Sequence, residues 1–310
     1  MNIDVFFQQM VILAILIGVG FTIRKLKIID KQSNVTLSRL LLKITVPATL
    51  ISSISGRDLD ASRGDLPWFF LMIIIAFAVM GIVSWIATRA MCVPKLERGA
   101  YINMGLFSNV NFMSIPIIAN TLAPHHPNAM LYGILYNIIF NLTIFSMGMK
   151  FIGGKEAKLD WKLFCSPLMI SALFAVVLFV MDLSLPTVIN TSLSHLGALT
   201  APVAMMLLGS TLAEMDIKEV FQGWRVYGIS LVRLIIAPVA AYFVLLPIGL
   251  EPILFQSIIV MSVTPMAISV VMFTINYDIH QKIVGKGIFI STILSLATVP
   301  LLLFALFGRG

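Results

Sequence analysis

Two stretches decide how this chain folds. The first is Phe107-Ser108-Asn109-Val110-Asn111-Phe112-Met113-Ser114-Ile115-Pro116-Ile117, and the second is Met261-Ser262-Val263-Thr264-Pro265-Met266-Ala267-Ile268-Ser269. Each places a proline and a group of small polar residues in the middle of a long apolar run. A proline inside a helix removes one backbone donor and pushes its ring against the preceding turn. In hydrocarbon the carbonyl left over has no water to bond, so the break survives only where other protein groups or a watered cavity satisfy it. Asn109, Asn111, Ser114 and Thr264 are polar groups placed to do that. The bland reading is a proline kink patched by Asn and Ser. It explains one such helix well and two matched ones poorly.

Working outward, ten apolar stretches are of membrane length, since about 20 residues at 1.5 Å each cross the hydrocarbon. They run approximately over residues 5–23, 35–55, 68–88, 99–122, 129–149, 163–180, 189–212, 226–246, 252–275 and 283–307. Of the 310 residues 59% are hydrophobic and 11% charged, against about 25% charged in soluble domains. A soluble chain this apolar cannot cover its own surface. The fold class expected is therefore an all-α polytopic membrane protein of ten transmembrane helices. The N-terminus lacks the basic region of a signal peptide, so the first run reads as a retained helix.

The net charge of +7 is decided by its distribution. Arg24, Lys25, Lys27, Lys31, Arg39, Arg89, Lys95, Arg98, Lys150, Lys155, Lys158, Lys162, Lys218, Arg225, Lys282 and Lys286 lie in the gaps after odd-numbered helices or in the first turns that follow those gaps. The other side holds Arg57, Arg63 and Arg309. Positive residues stay cytoplasmic, so both termini are expected outside a plasma (inner) membrane. The basic residues imply a membrane face and membrane lipid, not nucleic acid.

The two halves look alike. Ile44-Thr45-Val46-Pro47-Ala48 in helix two matches Leu199-Thr200-Ala201-Pro202-Val203 in helix seven. Trp68 opens helix three and Trp224 precedes helix eight, and Pro116 and Pro265 break helices four and nine. The features recur at about 150 to 156 residues, and five helices is an odd number, so the second copy must be inverted. The expected repeats are residues 1–155 and 156–310.

If the broken helices cross, four helix ends meet near the midplane. Pro116 and Pro265 suit the first turn of an outgoing half-helix. Half-helix N-termini carry partial positive charge and C-termini partial negative charge, so dipoles alone leave anion and cation open. Side chains must choose. The acids Asp182, Glu214, Asp216, Glu251 and Asp278 sit at helix ends or in gaps, and the charges set deeper inside the apolar runs are Lys43 and Arg233. Arg233, about 12 Å into its span by helical rise, should face a cavity, a carbonyl cluster or a bound anion. Lys43 is close enough to an end to snorkel. Cys92 and Cys165 read as inert small hydrophobes. His125, His126, His195 and His280 have no metal-site spacing. The phosphate-loop and His-Glu-x-x-His patterns are absent, so no cofactor, metal or catalytic group is expected.

Asn109-x-x-x-Met113-x-Ile115-Pro116 resembles the fourth helix of the auxin efflux carrier family, and Thr264-Pro265-Met266-Ala267, with Phe273, Tyr277 and Asp278 beyond, resembles its ninth. Leu41 to Pro47 in helix two is also similar, and the likeness covers essentially the whole chain. The short basic gap after helix five resembles bacterial-type members, of malate or malonate permease kind. The departures are Ser114 and Asn111, where members often carry a small residue and a glycine. The resemblance implies a scaffold from helices 1, 2, 6 and 7 and a transport domain from helices 3–5 and 8–10. It implies a carboxylate substrate beside the crossing, which points to Asn109, Asn111, Ser114, Pro116, Thr264 and Pro265 as its binding residues, with Arg233 as a more distant countercharge. A homodimer through the scaffold is also compatible with it. The expected function is elevator-like secondary transport of small organic anions. A sodium- or proton-coupled symporter of bile-acid-carrier type and a non-transporting receptor for an organic acid stay open beside it.

Overall fold

The computed structural model describes residues 3–55, 66–153, 166–214, 222–270 and 280–307. Among them every regular element is helical. Helix α1 is Ile3–Lys25, α2 joins Lys31–Leu40 to Val46–Ser52 through Leu41–Thr45, and α3 is Leu66–Ala90. Helix α4 falls into two pieces, α4a over Arg98–Leu106 and α4b over Val110–Ser114 and Ile115–Thr121. Helix α5 runs from Asn128–Thr143 through Ile144–Gly148 to Met149–Gly153, α6 is Pro167–Met181, and α7 joins Thr187–Ala198 to Thr200–Ala213. Helix α8 joins Trp224–Leu231, Val232–Ile236 and Ala237–Leu245, α9 is Pro252–Ser262, and α10 is Gln281–Phe307.

These helices lie where the apolar runs predict them. Among the described residues six are long and apolar enough to cross a membrane: Gln32–Ser52, Leu66–Ala90, Asn128–Ile152, Thr187–Ala213, Trp224–Ile248 and Lys282–Phe307. The fourth run falls outside that group because its break leaves short halves, and of the ninth the described residues hold the short helix Pro252–Ser262 and the break after it. Large apolar side chains such as Ile15, Ile82, Phe243, Leu301 and Phe304 are exposed on the outside of the bundle. An apolar exterior on this scale is the surface of a protein whose solvent is lipid. Trp68, Trp85 and Trp224 are exposed as well, in keeping with interfacial anchors. Among the basic residues counted from sequence, Arg57, Arg63, Lys155, Lys158, Lys162, Lys218 and Arg309 lie outside the described residues, as do Trp161, Cys165, Asp216, Phe273, Tyr277 and Asp278.

Three prolines are accommodated by one device. Leu41–Thr45, Val110–Ser114 and Val232–Ile236 are π turns, and Pro47, Pro116 and Pro238 follow them closely. In each case the residue just before the proline donates to the carbonyl five residues back: Val46 to Leu41, Ile115 to Val110 and Ala237 to Val232. The wider turn makes room for a ring that would strike the i−4 carbonyl of a regular α-helix. The helix therefore continues past each of these prolines. This differs from the expectation that Pro116 itself marks the break. The chain unwinds earlier, at Phe107–Asn109, and Pro116 sits in the first turn of Ile115–Thr121. Pro265 does lie in its own break, between Val263 and Ala267.

Packing around α1, α2, α6 and α7 is close. α1 lies along α7, and α2 packs on both α7 and α6. A Cβ on Gly20 would stand 2.1 Å from the Met206 carbonyl oxygen, and one on Gly209 would stand 1.9 Å from that of Ile17. The two backbones touch there, and only glycine permits it. The other helices form a second group, in which α3 packs on α4a, α5 and α8, α5 on α9, and α8 on α10. Three elements bridge the groups: α4b touches α1 and α7 as well as α5 and α9, α5 packs on α6, and α10 packs on α1.

Candidate functional site

The two breaks meet. Ser108 and Met266 form an antiparallel bridge, in which the Asn109 amide donates to the Pro265 carbonyl at 2.8 Å and the Ala267 amide donates to the Phe107 carbonyl at 2.9 Å. Each unwound strand thus supplies hydrogen bonds that the other lost on leaving the helix, which is the condition for irregular backbone at membrane depth. Ser114 Oγ and Thr264 Oγ1 lie 2.7 Å apart across the same crossing. The Met266 amide donates to Ser291 Oγ of α10 at 3.2 Å. The Asn109 carbonyl accepts from the Met113 and Ser114 amides and starts α4b.

Arg233 closes the other side. It projects from the π turn of α8 and is 0% exposed. Its Nη1 donates to the carbonyls of Gly105 at 3.2 Å and Leu106 at 2.9 Å, the last turn of α4a. Its Nε donates to the Thr264 carbonyl at 3.1 Å, and its Nη2 donates to the Ser262 carbonyl, at the end of α9. Of the three surroundings expected for this residue, the structure supplies the carbonyl cluster. Each converging C-terminus carries about half a negative charge, so together they roughly match one guanidinium. Lys43 is exposed on α2 instead.

A chain of amides runs beside the crossing. Asn141 Nδ2 donates to Asn137 Oδ1 at 2.7 Å, and Asn137 Nδ2 donates to Asn111 Oδ1 at 2.5 Å. Asn109, Asn111, Asn137 and Asn141 are all buried. In contrast to Asn111, Asn109 has its side-chain Nδ2 buried with no hydrogen-bond partner among the described residues. Such an orphaned donor costs about 1–3 kcal/mol, and its persistence leaves a donor at the crossing free to take an acceptor from beyond the described residues.

A cavity of about 430 Å³ opens between α4b and the helices α1, α2 and α7. Its polar lining includes Thr49, Ser52, Ser53, Asn120, Ser194 and Thr200. Thr49 Oγ1 lies 2.9 Å from Thr200 Oγ1, so the two Thr-x-Pro segments meet at its wall. Of the seven residues picked from sequence, Pro116 lines this cavity. Asn109, Asn111, Ser114, Thr264 and Pro265 belong to the crossing behind it, and Arg233 caps the far helix ends. Thr49, Asn120, Asn137 and Asn141 were not singled out in the sequence. The sequence marks Thr200 only as part of a repeat. A lone Thr or Asn in an apolar helix is usually a back-bonded side chain, as Asn120 is to Pro116 at 2.7 Å. No local signal marks those that also line a cavity.

A polytopic helical bundle with two discontinuous helices paired at a polar crossing is the architecture of a membrane carrier. The family described as membrane transport protein matches residues 5–303, and the chain belongs to it, the auxin efflux carrier family of the sequence resemblance. The chain is 22% identical over 296 residues to a protein named as an uncharacterized transporter of Methanocaldococcus jannaschii, covering 94% of this chain and 95% of that one. It is also 22% identical over 292 residues to an uncharacterized transporter of Methanothermobacter thermautotrophicus, covering 93% and 94%. The protein is thus a multi-pass membrane transporter, which implies a small-molecule substrate.

Proposed function

We propose that this transporter is a secondary carrier of small organic anions, mono- or dicarboxylates of the malate and malonate kind. The observation that carries the reading is the unequal treatment of the helix ends at the crossing. The C-termini of α4a and α9 are neutralised by Arg233, while the N-terminal side of α4b presents the side-chain amide of Asn109, whose Nδ2 has no partner among the described residues. What is left uncompensated is positive and rich in donors, which favours an anion. Side chains thereby choose where the dipoles alone did not. Asn109, Asn111, Ser114 and Thr264 are the groups that would face the carboxylate, with Pro116 and Pro265 shaping the turns around it.

Ten spans in two inverted repeats, 1–155 and 156–310, are consistent with the matched breaks. The closer packing within α1, α2, α6 and α7 and within the remaining helices, joined where α4b, α5 and α10 meet α1, α6 and α7, supports an elevator-like motion of a transport domain against a scaffold. The cavity lies at that boundary, beside Pro116. The basic gaps favour both termini outside the plasma membrane. With the cytoplasm negative, export of a monoanion is driven by about 2.3 kcal/mol per 100 mV and needs no coupled ion. Charge movement in proteoliposomes on jumps of malate, malonate, citrate, lactate and indole-3-acetate tests the reading. A sodium-independent current for one acid supports it. Flux that requires sodium would favour the coupled symporter instead, and saturable binding without flux the receptor.

A further inference from the structure

The charge at the crossing is completed by a side chain where an ion would otherwise fit. Carbonyls of Gly105, Leu106, Ser262 and Thr264 converge from two helix ends on one point. Main-chain oxygens at the C-terminal ends of interrupted helices are the donor set that discontinuous-helix carriers offer to a monovalent cation. Here the guanidinium of Arg233 occupies it. Among the described residues its hydrogen bonds to oxygen go to main-chain carbonyls, Met80 Sδ lies 3.7 Å from its Nη1, and the buried Tyr136 is near enough to feel its charge. The planar fork suits this task, because it reaches both helix ends at once, which a single ammonium does less well. The π turn at Val232–Ile236 aims it: Val232, Arg233 and Leu234 are all buried in the turn that precedes Pro238.

We propose that Arg233 is a tethered counter-cation that fills a carbonyl cage at the crossing, so that this carrier has no vacancy there for a coupling cation. The inference rests on the crossing being the transport site. It predicts that the cage, once emptied, accepts a small cation from solution. Arg233 is then a positioning residue, holding α4a and α9 end to end without touching substrate.

The test is thermal unfolding and flux of wild type, Arg233→Ala, Arg233→Lys and Arg233→Met, with choline, sodium, potassium or guanidinium chloride at constant ionic strength. Wild type is expected to unfold at the same temperature in all four salts at millimolar guanidinium. Arg233→Ala is expected to unfold at a lower temperature in choline, with most of the loss restored by millimolar guanidinium and part of it by sodium or potassium. Arg233→Lys should outperform Arg233→Met, which has similar length and no charge. If Arg233→Ala does not accumulate, the Lys-against-Met comparison decides. A Met variant as stable as wild type would show that the charge is not needed. A saturable sodium stabilisation of wild type over choline would place a cation site elsewhere, and loss in Arg233→Ala that no cation restores would reduce Arg233 to packing; either overturns the proposal. A parallel titration of wild type with malonate against chloride separates the readings. Failure of every carboxylate with cation rescue intact sinks the anion reading and spares the cage.

Discussion

Replacing Asn109 by alanine should weaken the carrier's hold on its substrate while leaving the empty protein as stable or slightly more so. In the empty state Asn109 Nδ2 is buried without a partner among the described residues, a standing penalty of about 1–3 kcal/mol. Alanine removes the orphaned donor and keeps the main-chain bonds to Pro265, Met113 and Ser114. The small void it leaves offsets part of that gain, so the net change in stability should lie within about 1 kcal/mol of zero. In the loaded state the same amide would donate to a carboxylate, and hydrogen bonds to charged groups contribute about 1.5–3 kcal/mol. Binding should therefore weaken roughly 10- to 150-fold. The assay is a pair of measurements on one preparation: thermal unfolding without substrate, and half-saturation of substrate-induced current. A lower unfolding temperature with unchanged half-saturation would refute the reasoning, because it would make Asn109 a structural bond donor and not a substrate group.

Three further outcomes follow from the geometry. Gly209→Ala should separate α1 from α7, since its Cβ would stand 1.9 Å from the Ile17 carbonyl oxygen; a destabilisation of about 1–3 kcal/mol is expected. Gly18→Ala on α1, where a Cβ meets nothing within 4 Å, should be neutral or stabilising by about 1 kcal/mol, and equal effects of the two in thermal unfolding would contradict the packing described. A double-mutant cycle of Ser114→Ala and Thr264→Val, whose oxygens lie 2.7 Å apart, should give a coupling of about 0.5–1.5 kcal/mol; additivity would show that the pair is incidental. At the start of α2, the Asp30 carboxyl is held below its ordinary value chiefly by the Ser33 hydroxyl and amide. A lowered carboxyl stabilises above its unfolded value and stops doing so as pH falls through the folded one. Hydrogen exchange at the Ser33 amide should therefore lose protection beyond its intrinsic pH trend only on acidification, and Asp30→Asn should flatten that extra loss.

How much of this was legible in the sequence depends on the range of the physics involved. Hydropathy, helix length and proline placement are local properties. They located the helices, both interruptions and the polar residues at them, and the motifs around Pro116 and Pro265 carried the family. The start of the first break was less legible. It falls at Phe107–Asn109 ahead of Pro116, because a π turn lets the helix accommodate that ring and because Asn109 finds its backbone partner in Pro265, on a strand distant in sequence. Which of its three expected surroundings Arg233 meets was beyond sequence reading. A buried arginine announces only that something must answer its charge. That the answer is four carbonyls, the Gly105 one 128 residues away along the chain, is settled where α4a, α8 and α9 meet. The cavity is of the same kind, since Thr49 and Thr200, 151 residues apart, become neighbours only when α2 crosses α7. The sequence alone determined that this is a helical membrane protein with two broken spans, because burial in lipid is paid residue by residue. Only the tertiary structure decided which groups answer which charges, because hydrogen bonds and helix dipoles are satisfied across the bundle by whatever the packing brings within 3 Å or so.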